Sequence, residues 1–195
     1  ITDREMLNVV TMVYGGLVNK NLVAKLQAVG VNALGLTGAD IDMIRSHKRP
    51  LKEGIDFGYV GDVDSANGNM LHTLVEAGIV PVMAPLTHDG NGNILNTNAD
   101  TIASETAKAL APYYDVTLMF CFEKKGVLSN PDDDDSVIPS ITPEEFKALV
   151  ADGTVAGGMI PKLENSFNAI EYGVKQVVIT LASSIDGKHG TILRG

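Results

Sequence analysis

The 195-residue chain carries 24 acidic and 15 basic residues, a formal net charge of −9 at pH 7, and 45% of its residues are hydrophobic. This apolar content excludes a disordered chain, and the negative charge argues against nucleic-acid binding, which requires a basic face. The length fits one domain. Because a single cysteine cannot form an internal disulfide and no apolar run is long enough to cross a bilayer, we expect a cytoplasmic protein.

In the first half of the chain, predicted helices alternate with short strands. Apolar spacing predicts a helix that starts after Thr2 or Asp3, is interrupted at Gly15-Gly16 and then continues to Gly30. Four elements follow in order: a buried strand at 31–36, an edge strand at 57–63, a helix at 67–77 and a buried strand at 79–84. Residues 88–93 have the Gly, Asn and Asp content of a hairpin turn.

The second half continues the alternation. Its predicted elements are a helix at 100–110, a buried strand at 115–122, a solvated loop at 130–136, a helix opened by Thr142-Pro143, a flexible connector at 153–158, a helix through Pro161 to Gly173, and strands at 177–181 and 190–193. Cys121, inside the most apolar strand, is expected in the core. Strands that alternate with helices predict an α/β fold with a mostly parallel sheet covered on both faces.

One candidate binding segment is Asn96-Thr97-Asn98-Ala99-Asp100, which enters a helix. Two asparagines spaced by two residues point the same way in an extended segment, so their amides could clamp one polar ligand. Asp100 follows in the first helical turn, where the helix dipole stabilises a carboxylate. The alternative interpretation is an Asx turn with a helix N-cap.

A second candidate lies at Ala156-Gly157-Gly158-Met159-Ile160-Pro161-Lys162, where two glycines precede a helix and Lys162 adds a positive charge. Free N–H groups at a helix start suit a phosphate, although an ordinary flexible turn with a surface lysine explains the same residues. A third candidate is Glu123-Lys124-Lys125-Gly126, whose lysines either face nucleotide phosphates or are merely solvated. The four histidines lack metal-ligand spacing, so no metal site is expected.

Four segments occur in order along the chain: G-L-T-G-A-D at 35–40, G-Y-V-G-D-V at 58–63, N-T-N-A-D at 96–100 and D-G-T-V-A-G-G-M-I-P-K at 152–162. Together they resemble the amino acid kinase family, and within it the N-acetylglutamate kinases. The resemblance implies a three-layer αβα sandwich around a mostly parallel open sheet. The family opens with a strand ending in K-x-G-G, so we expect such a strand, with a catalytic lysine, before Ile1.

The resemblance also assigns roles. It implies that Asn96 and Asn98 hold the acylated amino acid, that Asp100 orients the catalytic lysines and that Lys162 contacts the transferring phosphoryl group. It places residues 1–110 on the acceptor side and residues 111–195 on the nucleotide side. ATP, with Mg²⁺, is expected against Glu123, Lys124, Lys125, Gly126, Gly157, Gly158 and Met159, although the family commonly has Asp-Val-x-Gly where this chain has Glu-Lys-Lys-Gly.

The expected activity is ATP-dependent phosphorylation of the γ-carboxylate of an N-acyl-L-glutamate, in arginine biosynthesis, by a homodimer. The acyl group, acetyl or a longer one such as succinyl, stays open. Two alternatives remain. The chain could be a carbamate, aspartate or glutamate 5-kinase of the same family, or a non-catalytic ligand-binding module that keeps the fold.

Overall fold

The computed structural model describes residues 1–186 and 189–195, and its contacts divide the chain into two units, Ile1–Leu110 and Ala111–Gly195. Each unit contains its own sheets and helices. Among the described residues, no helix is both long enough and apolar enough to cross a membrane.

The first unit opens with one long helical segment. Helix α1 (Arg4–Val10) runs into a π-helical stretch (Thr11–Val18) and then into α2 (Asn19–Ala28), with Asp3 Oδ1 accepting from Met6 N at 2.8 Å as the N-cap. The predicted interruption at Gly15-Gly16 is therefore wrong, because the π-helical turns carry the helix through both glycines. A Cβ at Gly15 would lie 3.1 Å from Leu86 Cδ1, so that glycine allows close packing.

Two sheets complete the first unit. Its strands and remaining helices are β1 (Ala33–Leu36), β2 (Ile44–Lys48), β3 (Gly61–Ala66), α3 (Gly68–Glu76), β4 (Val80–Met83), β5 (Leu86–His88), β6 (Ile94–Asn96) and α4 (Ala99–Leu110). Strands β1 and β4 pair in parallel, and the second sheet has the order β3-β2-β5-β6. The predicted hairpin turn is confirmed, since β5 and β6 pair antiparallel on either side of residues 89–93.

Strand β2 was not predicted, and the strand predicted at 57–63 begins later, at Gly61. The sequence of β2, Ile-Arg-Ser-His-Lys, has only one apolar residue, so hydrophobic patterning does not detect it. Its Ile44 is nonetheless fully buried, in a core cluster with Leu36, Met43, Leu71 and Ile102 that joins α3 and α4 to the strands.

The second unit contains one sheet of order β7-β9-β10-β8. Its elements are β7 (Thr117–Phe122), β8 (Ser140–Ile141), α5 (Pro143–Ala151), α6 (Met159–Glu171), β9 (Gln176–Leu181) and β10 (Thr191–Leu193). Strands β7 and β9 run parallel in register from Thr117↔Gln176 to Phe122↔Leu181. Helices that alternate with largely parallel strands confirm the predicted α/β class.

Strand β7 is buried on one face only. Leu118 and Phe120 are buried, whereas Thr117 and Cys121 are exposed. The expectation that Cys121 lies in the core is therefore wrong. Residues 118 and 120 share one face of the strand and residue 121 lies on the opposite face, because side chains alternate along a strand.

Candidate functional site

The first candidate segment spans the end of β6 and the start of α4. Asn96, half-buried, is the last residue of β6, and its backbone N–H donates to Tyr59 O at 2.8 Å. Its side-chain Nδ2 donates to Thr2 Oγ1 at 3.1 Å. The Asn96 amide therefore has a protein partner near the beginning of the chain.

Asn98 caps helix α4. Its side-chain Oδ1 accepts from Thr101 N at 3.1 Å, and its backbone oxygen accepts from Ile102 N at 3.0 Å. Asp100, half-buried, lies in the first turn of the same helix. The N-cap interpretation of Asn98 thus has a direct structural basis, while the shared amide clamp on one ligand stays a prediction.

Thr97, between the two asparagines, is a residue that the sequence analysis left unassigned. Its side chain is buried, and its Oγ1 lies 2.8 Å from Thr87 Oγ1 of the neighbouring strand β5. A Cβ added at Gly61 would lie 2.7 Å from the same Thr97 oxygen. This packing holds the segment against the sheet and fixes the direction in which the flanking residues leave it.

The first unit also contains a cavity that the sequence analysis missed. Its volume is about 420 Å³, and it lies beyond the carboxyl end of β1, beside the π-helical turns. Lys20 Nζ donates to Gly35 O at 2.8 Å at its wall, and Asp40 Oδ2 accepts from both the N–H and the hydroxyl of Thr37. π-helical turns are frequent at functional sites. The sequence features that could have indicated this cavity are the glycine pair at 15–16 and the G-L-T-G-A-D segment, because residues of both line it.

The second unit brings several predicted nucleotide-site residues to adjoining cavities. A cavity of about 540 Å³ is lined by residues that follow β7 and by residues of the loop before α6: Lys124, Gly126, Val127, Leu128, Ser129, Pro131, Asp152, Gly153, Thr154, Val155, Ala156 and Met159. A second cavity, of about 600 Å³, also includes Lys124, Gly126 and Met159, together with Phe122 and Glu123. Gly157 and Gly158 lie in the chain between two lining residues of the first cavity.

Helix α6 begins at Met159 without a side-chain cap from the described residues, and its N-cap residue is Gly158. Gly157 has φ +56°, a conformation that favours glycine, and a Cβ added at either glycine would meet no atom within 4 Å. The N–H groups of Met159 and Ile160 donate to Ala156 O and Gly157 O, each at the long distance of 3.3 Å, and Pro161 has no N–H. An anion at this helix start would therefore have to displace those two backbone hydrogen bonds.

Lys162 is the fourth residue of α6. Its Nζ is 4.1 Å from the centroid of the Phe122 ring, a cation–π geometry. The Phe122 ring stacks in turn on Phe120, with centroids 6.2 Å apart and an interplanar angle of 16°. The candidate lysine is therefore placed at the carboxyl end of β7.

The two lysines after β7 form ion pairs across the following loop. Lys124 Nζ lies 2.7 Å from Asp134 Oδ1, and Lys125 Nζ lies 2.5 Å from Asp135 Oδ1. The hydrogen bond to Asp134 raises the pKa of Lys124, and the same bond lowers the pKa of the Asp134 carboxyl. Both pairs are solvent-exposed, so the ammonium groups can exchange partners at little cost.

Gly126 has a packing role of its own. A Cβ there would lie 2.8 Å from Thr191 Oγ1, which accepts from Val127 N at 2.8 Å and donates to Ile138 O at 2.7 Å. The absence of a side chain at residue 126 therefore lets the chain after β7 approach β10. This explanation holds whether or not a nucleotide touches Gly126.

Comparison with known proteins gives three kinds of match. Residues 1–181 match the sequence profile described as the amino acid kinase family. The chain is 69% identical over 194 residues to the acetylglutamate kinase of Phocaeicola vulgatus and 68% identical to that of Bacteroides thetaiotaomicron, covering 100% of this chain and 75% of each relative.

Among solved structures, a crystal structure of a Streptococcus mutans protein superposes with a TM-score of 0.81 at 30% identity, covering 100% of this chain and 74% of that one. The N-acetylglutamate synthase of Neisseria gonorrhoeae, complexed with coenzyme A and N-acetyl-glutamate, gives a TM-score of 0.85 at 19% identity and is covered to 45%. The second likeness concerns the fold alone.

Proposed function

The chain belongs to the amino acid kinase family, and from that premise we propose that it is an ATP-dependent kinase acting on the γ-carboxylate of N-acetyl-L-glutamate or a close N-acyl analogue. The product is an acyl phosphate, an intermediate of arginine biosynthesis. The observation that carries this proposal is the 69% identity to an acetylglutamate kinase over 194 residues.

The acceptor is assigned to the first unit and the nucleotide to the second. Asn96 and Asn98 supply amide groups for the acylated amino acid, and Asp100 supplies a fixed negative charge that orients lysine side chains. In the second unit, the cavity lined by Lys124 and Met159 supports nucleotide binding. Mg²⁺ enters this proposal as part of the ATP complex.

The chemistry requires few functional groups. A side-chain carboxylate is already ionised at pH 7, so the attacking oxygen needs no general base. The barrier lies in bringing two anions together in line, which calls for positioning and for positive charge on the transferring group. Lys162, in helix α6, supplies that charge. Assembly as a homodimer stays a prediction of the resemblance.

A coupled assay of ADP release with the full-length protein tests the proposal. N-acetyl-L-glutamate, N-succinyl-L-glutamate, carbamate, aspartate and glutamate are offered separately, each with MgATP. We expect turnover with an N-acylated glutamate and essentially none with the other three acceptors. Turnover with carbamate, aspartate or free glutamate instead would identify a different kinase of the family, and ligand binding without any turnover would favour a non-catalytic module.

A further inference from the structure

We propose that Thr2 is a positioning residue, whose hydroxyl group holds the Asn96 side chain in the orientation that binds the acceptor. This inference rests on the proposed kinase function, which assigns Asn96 to the acylated amino acid. The contact that motivates it is the 3.1 Å hydrogen bond from Asn96 Nδ2 to Thr2 Oγ1, between residues 94 positions apart in the chain. The sequence analysis considered Thr2 only as a helix cap, a role that the structure gives to Asp3.

Thr2 is buried and held in place by its own backbone. Its N–H donates to Phe57 O at 2.9 Å, and its carbonyl oxygen accepts from Tyr59 N at 2.7 Å. These bonds form a parallel bridge with Gly58, which has φ +73°. A Cβ at residue 58 would overlap the Thr2 carbonyl oxygen, so only glycine allows this close approach. The Thr2 hydroxyl group therefore extends from a fixed position in the fold.

Asn96 is bonded to the same segment from the other side. Its backbone N–H donates to Tyr59 O at 2.8 Å, next to a parallel bridge between Asn96 and Val60. Tyr59 therefore bonds Thr2 through its N–H and Asn96 through its carbonyl oxygen. The side-chain bond from Asn96 Nδ2 to Thr2 Oγ1 closes these contacts into a circuit. Within that circuit, both the backbone and the side-chain amide of Asn96 are fixed relative to Thr2.

The hydroxyl group sets how the Asn96 amide is presented to a ligand. An asparagine amide has two N–H donors and one carbonyl acceptor, and the bond to Thr2 uses one of the donors. The terminal torsion of an asparagine side chain has a broad energy well, so an unrestrained amide samples many orientations. An acceptor substrate that meets an amide already in its binding orientation avoids the cost of ordering it. Thr2 thus preorganises Asn96 for acceptor binding.

The Thr2 contact completes the support of the candidate acceptor segment. Asn96 is held by Thr2. The buried Thr97 hydroxyl oxygen lies 2.8 Å from that of Thr87. Asn98 caps α4 through its side-chain oxygen. Three successive side chains thus have separate partners, and loss of the Thr2 hydroxyl should loosen Asn96 while Thr97 and Asn98 keep their own bonds.

The test removes the Thr2 hydroxyl group in the full-length protein. Thr2→Val keeps the β-branched shape and the backbone bonds but has no hydrogen-bond acceptor in its side chain. The KM for the N-acylglutamate should rise by roughly 3- to 10-fold, the range of a neutral hydrogen bond, while kcat and the KM for ATP change less than about twofold. Thr2→Ser keeps the hydroxyl group and should restore the KM for the acceptor. A wild-type KM for the acceptor in Thr2→Val would overturn the positioning role.

A double-mutant cycle shows whether Thr2 acts through Asn96. In the Asn96→Ala background the side chain that Thr2 holds is gone, so Thr2→Val should cause no further rise in the KM for the acceptor. Equal effects of Thr2→Val with and without the Asn96 side chain would overturn the proposal, because a purely structural role of Thr2 predicts that additivity.

Thr106→Val is the matched control in the same unit. The Thr106 Oγ1 atom, in α4, is buried and has no hydrogen-bond partner among the described residues, so this substitution removes a threonine hydroxyl without removing a bond. Its KM values should equal those of the wild type. A rise in the acceptor KM equal to that of Thr2→Val would contradict the proposal, since the loss of any buried hydroxyl group in this unit would then have the same effect.

Hydrogen exchange measured by NMR separates this inference from the proposed function and does not require a folded Thr2 variant. In the ligand-free wild type, the Asn96 side-chain amide signal, assigned by its loss in Asn96→Ala, should exchange with solvent more slowly than that of the exposed Asn21. Equally fast exchange of the two amides overturns the contact. Slow exchange at Asn96 in a protein that releases no ADP with any N-acylated glutamate overturns the proposed function, and with it the purpose assigned to the contact.

Discussion

The helices that follow the two candidate segments begin in different ways. Helix α4 is capped by a side chain of its own entry segment, since Asn98 Oδ1 accepts from Thr101 N. Helix α6 begins after two glycines and has Gly158 as its N-cap residue, with no side-chain acceptor from the described residues. At the capped start a side-chain oxygen satisfies one N–H, whereas at the uncapped start the N–H groups of Met159 and Ile160 make only long backbone bonds of 3.3 Å, which an anion could replace.

The difference shows that similar patterns can indicate different roles. Both segments place small or polar residues before a helix, and either could be an ordinary turn or a binding site. Around Asn98 the hydrogen bonds support a structural role alongside the proposed one. Around Gly158 no side chain of the described residues caps the helix, and the role of this segment in nucleotide binding stays a prediction.

The largest expected effect comes from Lys162→Ala. Loss of a positive charge that acts on the transferring phosphoryl group should lower kcat by about 100-fold or more. The Tm should change little, because the lysine is only half-buried. Steady-state kinetics and a thermal melt measure both quantities. A near-normal kcat would show that Lys162 is an ordinary surface residue. The segment that leads into α6 would then have no catalytic role to compare with the capping role of Asn98.

Asn98 separates capping from ligand binding. Asn98→Ala should raise the KM for the N-acylglutamate by roughly ten- to a hundredfold, as expected for the loss of a hydrogen bond to a charged group, and should also destabilise the fold by about 1 kcal/mol through loss of the cap. Asn98→Ser keeps an N-cap acceptor but has no amide donor. It should therefore raise KM while leaving the free energy of unfolding nearly unchanged.

Asn96→Ala provides the companion measurement. Its KM for the acceptor should rise in the same range as that of Asn98→Ala, with the KM for ATP unchanged. If Asn96→Ala and Asn98→Ser both show ordinary KM values, the asparagines act in the turn and the cap only.

Gly158→Asp tests anion binding at the start of α6 by placing a carboxylate there. Because Pro161 has no N–H, the new carboxylate can accept only from Ile160 N, in place of its 3.3 Å bond to Gly157 O. It should stabilise the fold by a few tenths of a kcal/mol and raise the KM for ATP about two- to fivefold, since it competes with phosphate at this helix start. Gly158→Asn, with similar shape and no charge, is the matched control. An unchanged KM for ATP in the Asp variant would contradict phosphate binding at this helix start.

The smallest effect concerns the exposed pair of Lys124 and Asp134. The hydrogen bond from Lys124 lowers the pKa of Asp134 in the folded protein, so the pair stabilises the fold at pH values above the unfolded carboxyl pKa of about 3.9. That contribution is lost as the pH falls through the lower, folded pKa. The Tm difference between wild type and Asp134→Asn should therefore be small at pH 7, decrease with added salt and disappear in acid.

Asp115→Asn is the control for that pair, because Asp115 pairs with Lys175 at 2.7 Å and comes just before the start of β7 rather than after its end. Both variants should show the same pH profile of stability. Only Asp134→Asn should lower the KM for ATP, since it frees the Lys124 ammonium for phosphate. Equal KM values for ATP in the two variants would show that Lys124 is a solvated surface lysine without a role in ATP binding.

Much of the fold could be predicted from local chemistry. Asn67 and Thr142 were placed at helix starts, and both side chains act as N-caps, Thr142 within a capping box with Glu145. The Gly, Asn and Asp content of residues 88–93 likewise predicted the hairpin between β5 and β6. These features depend on hydrogen bonds between residues close in sequence, which is why the sequence alone reveals them.

The errors concern contacts between distant residues. Strand β2 is polar along most of its length and exists because β3 and β5 pair with it. Gly15 was interpreted as a break in the helix. Its lack of a side chain instead allows Leu86, more than 70 residues away in sequence, to pack closely against the helix. The Phe122–Lys162 contact has the same origin, since forty residues separate its partners. Such pairings depend on tertiary packing, which overrides local propensity.

The exposed thiol of Cys121 has a practical consequence. Cys121 is the sole cysteine of the sequence, and it lines the same cavity as Lys124 and Met159. Within these 195 residues a maleimide fluorophore would therefore attach at one position, beside the proposed nucleotide site. Titration of the labelled protein with ATP would then give a dissociation constant directly, without any acceptor present and without waiting for turnover.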